Sequence, residues 1–206
     1  MLRTDLEIVA SWIESGSRVL DLGCGCGELL LALHKHKGVR GTGIEIKEER
    51  ASSGIVEGVN IIQGDINEEL SDYPDWESGH GFDYIILSQT LMHIYDPLTL
   101  IREMLRVGRR AIVSFPNFSH WHNRMQLFLT GRAPVSSALP YAWYNTPNIR
   151  VISLLDFKAF CREYGFPLLR EAAIYAYQEQ GDVSSRIVRF MPNLRARYGI
   201  FMLGRK

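Results

Sequence analysis

An acidic residue and three glycines stand together in the segment "RVLDLGCGCGELLLAL", residues 18–33. Gly23, Gly25 and Gly27 separate a short apolar run from a stretch with helical periodicity, a pattern typical of a strand, a turn and a helix. Glycine permits positive φ angles and lets the backbone approach a ligand closely. We therefore expect this turn to bind a ligand, with Asp21 directly beside it.

Two further acidic residues follow the next two predicted strands. Glu45 ends "VRGTGIEI", 22 residues after Gly23, where a carboxylate can accept hydrogen bonds from ribose hydroxyls. Asp65 ends "VNIIQGD", where it can accept a hydrogen bond from an adenine amine, begin a helix as its N-cap, or do both. This order of strand, turn, helix and acids predicts a site for an adenosine-containing ligand.

The position of Asp21 decides between two ligand classes. A dinucleotide would place its pyrophosphate at the helix N-terminus and bring two negative charges near Asp21, which is unfavourable at low dielectric. S-adenosylmethionine has no phosphate, and a carboxylate attracts both its sulfonium and its ammonium group. We therefore predict S-adenosylmethionine as the cofactor, with S-adenosylhomocysteine as product or inhibitor.

The elements that must position these residues alternate along the chain. Continuous apolar runs predict strands, and amphipathic stretches such as "PLTLIREMLRV" predict helices between them. The alternation predicts an α/β fold with a doubly wound, mostly parallel sheet that binds ligands at the carboxyl ends of its strands. The predicted strands are "SRVLDLG", "VRGTGIEI", "VNIIQGD", "FDYIILSQ", "RRAIVSFPN", "LLREAAIYAY" and "YGIFMLGRK". Ser153 and Asp156 are spaced as a capping box before a further helix.

Four segments, "VLDLGCGCG", "GIEI", "QGD" and "FDYIILSQTLMHI", together resemble the class I S-adenosylmethionine-dependent methyltransferases. The resemblance covers most of residues 15–115 and implies a Rossmann-like sheet of seven strands, with helices on both faces and the last strand antiparallel. The cofactor contacts that it implies are, in chain order, Asp21, Gly23, Cys24, Gly25, Glu45, Ile46, Asp65, Ile66, Ser88 and Gln89. Gly27, the third glycine of the turn, is added to this predicted site.

A narrower resemblance spreads over residues 2–166. "LRTDLEIVASWI", "SFPNFSHW", "LPYAWYNTPNI" and "DFKAFCREYGF" resemble the MetW family of methionine biosynthesis proteins. This resemblance implies an accessory or regulatory protein that acts with a homoserine O-acyltransferase in forming O-acylhomoserine, a precursor of methionine. The alternative is a freestanding S-adenosylmethionine-dependent methyltransferase that acts on a small molecule, and the sequence leaves open whether any methyl group is transferred.

Three histidines near the predicted strand ends are candidates for chemistry. Methyl transfer from a sulfonium needs a base only when the nucleophile must lose a proton. His93 follows the fourth predicted strand, and His120 and His122 follow the fifth, so we take His93 and His120 as the candidate catalytic residues. His93 can instead line the adenosine cleft at a helix start, and "HWH" can instead begin a surface helix. No acid follows to orient either ring, so a catalytic triad is not predicted.

A metal site is not predicted. Cys24 and Cys26 lie inside the glycine turn, and His34 and His36 are two residues apart on a helix, so that their side chains face different ways. The chain has three cysteines, an odd number without the spacing of a disulfide framework, which favours a reducing cytoplasm.

Residues 115–150, called the insert below, contain seven aromatic residues and four of the eight prolines. Connections between strands and helices in compact domains are usually short. A long segment of this composition is therefore predicted to cover the mouth of the site or to form an interface with the acyltransferase. The alternative is a lid that packs without a partner.

The size and charge of the chain exclude several classes of function. Its 206 residues fit one domain, residues 1–206, and its 23 basic and 23 acidic side chains balance, so neither nucleic acid nor a membrane surface is an expected partner. No apolar run approaches the ~20 residues of a membrane span. The segment after the fourth predicted strand reads "SQTL" rather than "NPPY" or "DPPY", which argues against methylation of nucleic-acid bases.

Overall fold

The computed structural model describes residues 2–56, 59–179 and 182–205, which form a layer of β-strands between two layers of helices. The strands are β1 Arg18–Leu22, β2 Arg40–Glu45, β3 Asn60–Gln63, β4 Phe82–Ser88, β5 Gly108–Pro116, β6 Leu168–Glu179, β7 Asp182–Ile187 and β8 Tyr198–Gly204. The α-helices are α1 Thr4–Trp12, α2 Glu28–Lys37, α3 Glu48–Val56, α4 Ile66–Glu69, α5 Pro97–Val107, α6 Trp121–Thr130, α7 Leu154–Tyr164 and α8 Pro192–Arg195. Short 3₁₀ turns lie at Leu70–Asp72, Trp76–Ser78 and Leu91–His93.

The strands form one sheet in the order β3-β2-β1-β4-β5-β8-β6-β7. The pairs from β3 to β5 are parallel, and β8 lies antiparallel between β5 and β6. The predicted doubly wound α/β fold and its antiparallel last strand are thus confirmed. The sheet has eight strands among the described residues rather than the predicted seven, because "DVSSRI" forms the edge strand β7 in a hairpin with β6. This segment has no continuous apolar run, and edge strands need none.

Both faces of the sheet are covered by apolar packing, which explains why the central strands read as continuous apolar runs. Leu20 and Leu87 pack on one face with residues of α5 and α7. Val19 and Ile86 pack on the other face with residues of α1 and α2. The alternation of side chains along each strand therefore supplies two cores.

The register of the strands places the polar residues at their carboxyl ends next to one another. Asp21 on β1 pairs with Gly43 on β2 and with Ile86 on β4. Ser88 on β4 pairs with Ser114 on β5. The carboxyl edge of the central strands is thus the place where the predicted site residues meet.

Helix starts follow the capping rules that the sequence predicts. Ser153 and Asp156 form the predicted capping box of α7, with each side chain bonded to the backbone of the other. Asp96 caps α5 by accepting from Thr99 N at 3.1 Å, directly before Pro97 at the first helical position. None of the helices in the described ranges is both long and apolar enough to span a bilayer.

Candidate cofactor site and the chamber behind the insert

The glycine turn after β1 is tightly built on one side and open on the other. Its three glycines have φ angles of +72°, +60° and +77° at Gly23, Gly25 and Gly27, which ordinary L-residues adopt only with strain. A Cβ atom at Gly23 would lie 2.8 Å from Oγ1 of Thr90, whereas one at Gly25 would meet nothing within 4 Å. The open side at Gly25 is therefore where a ligand can approach the backbone.

Glu45 holds this turn in place. Its side chain is buried, and Oε2 accepts from Gly25 N at 3.0 Å while Oε1 accepts from Lys47 N at 3.0 Å. A carboxylate oxygen can accept more than one hydrogen bond. Glu45 therefore retains acceptor capacity for hydroxyl donors at the same edge of the sheet.

Asp21 lies beneath the turn without a complete set of partners. Its side chain is 3% exposed, and within the described ranges Oδ1 has no hydrogen-bond partner. Burial raises the pKa of Asp21 to about 7, the charge of Arg3 acts in the opposite direction, and Glu45 raises the pKa slightly further. A buried, unpaired carboxylate is costly, so this position favours a ligand that carries positive charge.

Ser88 and Gln89 take part in a polar network with α1. Oδ2 of the buried Asp5 accepts from Nε2 of Gln89 at 3.0 Å and from Oγ of Ser88 at 3.3 Å. Arg3 pairs with Asp5 at 2.7 Å and also donates to Ser88 Oγ at 3.0 Å. Sequence reasoning missed Arg3 and Asp5, because nothing in "LRTDL" indicates which strand end the helix reaches. The backbone of Gln89 has a φ of +51°, in the left-handed region that residues other than glycine rarely adopt.

The remaining predicted contacts follow β2 and β3. Ile46 is 62% exposed directly after Glu45. Asp65 directly precedes α4, the N-cap position that the sequence allowed, and its carbonyl oxygen accepts from Glu68 N and Glu69 N. Ile66 packs against the core with part of its side chain. The predicted cofactor residues thus lie at neighbouring strand ends, and their contacts with a cofactor stay predictions.

His93 joins the loop after β4 to the insert. It is exposed at the end of the 3₁₀ turn Leu91–His93, and its Nε2 lies 2.9 Å from Oδ1 of Asn148. Because an amide oxygen only accepts, Nε2 carries the proton in this contact. His93 therefore binds the insert in this arrangement, and its catalytic role remains a prediction.

His120 occupies the N-cap of α6, so "HWH" does begin a helix. The ring is buried, Nδ1 accepts from His122 N at 3.3 Å, and Nε2 has no partner in the part of the chain that the structure describes. Burial lowers the pKa of His120 to about 4, with smaller contributions from the charges of Arg197 and His122. The ring is neutral at pH 7 and lies beside Tyr175 of β6, away from the network around Asp21.

The insert forms one wall of a chamber of about 460 Å³ next to the ends of β4 and β5. Residues 148–152, called the strap below, pass close to the loop after β4. Ile149 N and Arg150 N both donate to Met92 O, at 3.0 and 3.1 Å, and the Arg150 guanidinium donates to the carbonyls of Ile94 and Tyr95. The apolar lining includes Phe115, Phe118, Leu127, Leu139, Tyr141 and Trp143.

The outer side of the insert exposes large apolar side chains. Phe128 is 81% exposed on α6, and Trp143, which also borders the chamber, is 78% exposed in the loop that follows. Trp121 and Leu129, 48% and 70% exposed, lie on α6 with Phe128. These four residues, called the apolar outer face below, exceed the scattered exposure that is normal for a protein surface.

The geometry of the cysteines and histidines does not assemble a metal site. Cys24 is half-buried and Cys26 exposed, and Nδ1 of His34 contacts Val39 O at 3.2 Å. Within the described ranges, no three His, Cys, Asp or Glu side chains come together in a way that could hold a metal ion.

The strand order, the glycine turn and the acids at the carboxyl edge define a Rossmann-like fold of the class I methyltransferase type, and solved structures agree. A possible histamine N-methyltransferase from Thermotoga maritima superposes with a TM-score of 0.66 at 15% identity, covering 98% of this chain and 87% of that chain. The magnesium protoporphyrin IX methyltransferase ChlM from Synechocystis, with bound S-adenosylhomocysteine, gives 0.64 at 16%, covering 98% and 83%. At these identities the likeness concerns the fold.

Sequence comparison narrows the class to a family. The family described as "Methionine biosynthesis protein MetW" matches residues 3–203, and the chain belongs to it. The bifunctional methionine biosynthesis protein MetXA/MetW of Rhodopirellula baltica is 38% identical over 164 residues, which is 75% of this chain and 26% of that protein. The chain thus spans about a quarter of that relative's length. A demethylmenaquinone methyltransferase of Listeria monocytogenes is 24% identical over 179 residues, 77% of this chain and 73% of that protein.

Proposed function

We propose that the protein binds S-adenosylmethionine and supports methionine biosynthesis in the cytoplasm as an accessory partner of a homoserine O-acyltransferase. The observation that carries the cofactor proposal is Oδ1 of Asp21, which has no hydrogen-bond partner among the described residues and belongs to a side chain 3% exposed beneath the open side of the glycine turn. A sulfonium or ammonium group would give this carboxylate the positive partner that it lacks.

The residues around Asp21 suit the rest of this cofactor. Glu45 has acceptor capacity for ribose hydroxyls, and Asp65 is the residue that we expect to accept from the adenine amine. Ile46, exposed beside Glu45, offers an apolar contact for the adenine ring. When bound, S-adenosylmethionine would supply an activated methyl group at this edge of the sheet.

The partner proposal rests on the family and on the bifunctional relative. Most of the MetXA/MetW protein lies outside the stretch that this chain matches, which is the expected arrangement if a MetW-like part and a second enzyme work side by side. The apolar outer face of the insert is the surface that we assign to the partner, because buried aromatic anchors dominate interface energetics.

A freestanding methyltransferase is the second candidate, and the chamber behind the insert favours it. Ligand sites are commonly concave, mostly apolar and of about 300–1,000 Å³, and the chamber of about 460 Å³ meets these conditions. It borders the loop that continues from Ser88 and Gln89. Under this alternative the chamber would hold the methyl acceptor, and His93 lies at its rim.

Two experiments separate these proposals. Calorimetry with S-adenosylmethionine and S-adenosylhomocysteine tests the cofactor, with the expected result being saturable binding of both. Failure of folded protein to bind either at millimolar concentration would end the cofactor proposal.

Co-purification with a homoserine O-acyltransferase, followed by an acylation assay with and without this protein, tests the partner. We expect a stable complex and a changed acylation rate. If no complex forms while a panel of small molecules supports cofactor turnover, the methyltransferase alternative replaces the accessory role.

A further inference from the structure

The chamber behind the insert has polar groups at one edge only. Its lining is apolar along β5, α6 and most of the insert, while Thr146, Asn148 and Arg150 contribute polar atoms where the strap meets the loop after β4. A chamber with this distribution suits a ligand that is apolar over most of its surface and polar at one end.

Hydrogen bonds fix the insert, which forms one wall of the chamber, to the rest of the molecule. The strap donates two backbone hydrogen bonds to Met92 O, and Asn148 accepts from His93. Near the start of the insert, Phe118 N donates to Ile152 O at 3.0 Å, and in its second half Arg197 donates to Ser137 Oγ at 2.7 Å. Contacts at both ends therefore hold the chamber open without a ligand.

Apart from the Thr146 hydroxyl, which accepts from Asn148 N, the polar edge presents donors rather than acceptors. The Oδ1 atom of Asn148 is used by His93, and its Nδ2 group donates no hydrogen bond to any described residue. The Arg150 guanidinium bonds the carbonyls of Ile94 and Tyr95 through Nε and Nη2, and no described residue accepts from its Nη1. One neutral donor and one cationic donor thus remain for a ligand, and their complement is an anionic oxygen.

We propose that the chamber binds a small apolar carboxylate, with its carboxyl group at Asn148 and Arg150 and its hydrocarbon part against Phe115, Leu127 and Leu139. An apolar cavity of about 150 Å³ holds a benzene ring, so the volume of about 460 Å³ admits a two-ring aromatic acid. This site is separate from the cofactor residues, and the inference holds whether or not a methyl group is transferred.

The test uses 2-naphthoate as the probe and the full chain saturated with S-adenosylhomocysteine, so that the cofactor edge is occupied. Calorimetry should show saturable binding below millimolar concentration. The uncharged 2-naphthamide should bind about tenfold more weakly, because it loses the charge-assisted hydrogen bonds. Equal binding of acid and amide would overturn the carboxylate assignment, and tighter binding of 2-naphthoate to the chain without S-adenosylhomocysteine than to the saturated chain would overturn the separate site.

A pair of variants tests the location. Leu139→Trp fills the chamber and should weaken 2-naphthoate binding at least about tenfold, because a filled pocket no longer admits the rings. Leu129→Trp makes the same change on the outward side of α6, where it should leave binding unchanged. Thermal melts of both variants establish that they fold. Unchanged binding in a folded Leu139→Trp variant, or no binding to the wild-type chain, overturns the proposal.

Discussion

At the glycine turn a buried carboxylate oxygen of Asp21 has no hydrogen-bond partner among the described residues, whereas on the insert the side chains of Phe128 and Leu129 are largely exposed. The first region is polar and enclosed, so a small cationic group can satisfy it. The second is apolar and open, so only another large surface can cover it. The comparison teaches that the two proposed binding sites need partners of opposite physical character. Each of the following predictions tests one of these two regions.

The largest expected effect is at Asp21. Asp21→Asn keeps the shape of the side chain and removes its charge, so S-adenosylmethionine affinity should fall by about 3 kcal/mol or more, the scale for removing one partner of a buried charged pair. Calorimetry at pH 7.5 measures the loss. An affinity equal to that of the wild type would show that no cationic group of the cofactor lies at this carboxylate.

The same variant gives a pH-dependent stability test. Because burial raises the folded-state pKa of Asp21 to about 7, the unfolded chain releases this proton at lower pH than the folded one, and stability falls as pH rises from about 4 to 7. Without cofactor, Asp21→Asn should therefore be more stable than the wild type above pH 7, and the two should converge near pH 4. Chemical denaturation across this range measures the difference, and parallel curves would contradict the raised pKa.

The apolar outer face gives the second effect. Trp121→Ala and Trp143→Ala should each weaken acyltransferase binding by about 2 kcal/mol or more, because tryptophan is a frequent interface anchor. Their melting temperatures should change little, since both side chains are largely exposed. Leu169→Ala is the control. Leu169 is half-exposed at the start of β6, which pairs there with the last residues of β8. A collapsed melt would assign a tryptophan to the core, and intact binding in folded variants would remove these anchors.

Glu45 gives a smaller effect on the cofactor side. Glu45→Ala should weaken cofactor binding by about 1–3 kcal/mol, the range for losing a buried hydrogen-bond partner. Glu45→Gln keeps one of the two oxygens that accept from Gly25 N and Lys47 N, and should lose less. Calorimetry of the two variants measures both values. If neither loses affinity, the ribose lies elsewhere.

The smallest expected effect is on the pH dependence of stability and concerns His120, near the start of the insert. Burial holds its pKa near 4, below the usual value of about 6.5 for an unfolded chain, so the stability that depends on the neutral ring is lost as pH falls through this interval. His120→Gln should make the melting temperature decline less steeply between pH 6.5 and 4. His36→Gln, on the exposed end of α2, is the matched control. Equal slopes in all three proteins would contradict the lowered pKa.

Much of the cofactor edge could be predicted from sequence because each part is local. Three glycines in one turn and a capping box act within a few residues, an acid at the end of the next strand follows from the strand pattern, and the structure confirms the predicted strands and the helix start at Ser153. The edge strand β7 was not predicted, because backbone pairing with β6 rather than an apolar pattern defines it. The contacts of Asp5 with Ser88 and of Asn148 with His93 depend on tertiary packing, which no local pattern encodes.

The network that joins α1 to the strand ends also bears on the order of folding. Ser114 Oγ contacts Asp5 across 109 residues of chain, and Ser88 Oγ contacts it across 83. Closing loops of this length costs chain entropy before any contact forms. Helix α1, which is synthesised before β5, therefore cannot dock completely until β5 has left the ribosome. Until then, its apolar residues Leu6 and Val9 remain without their final partners.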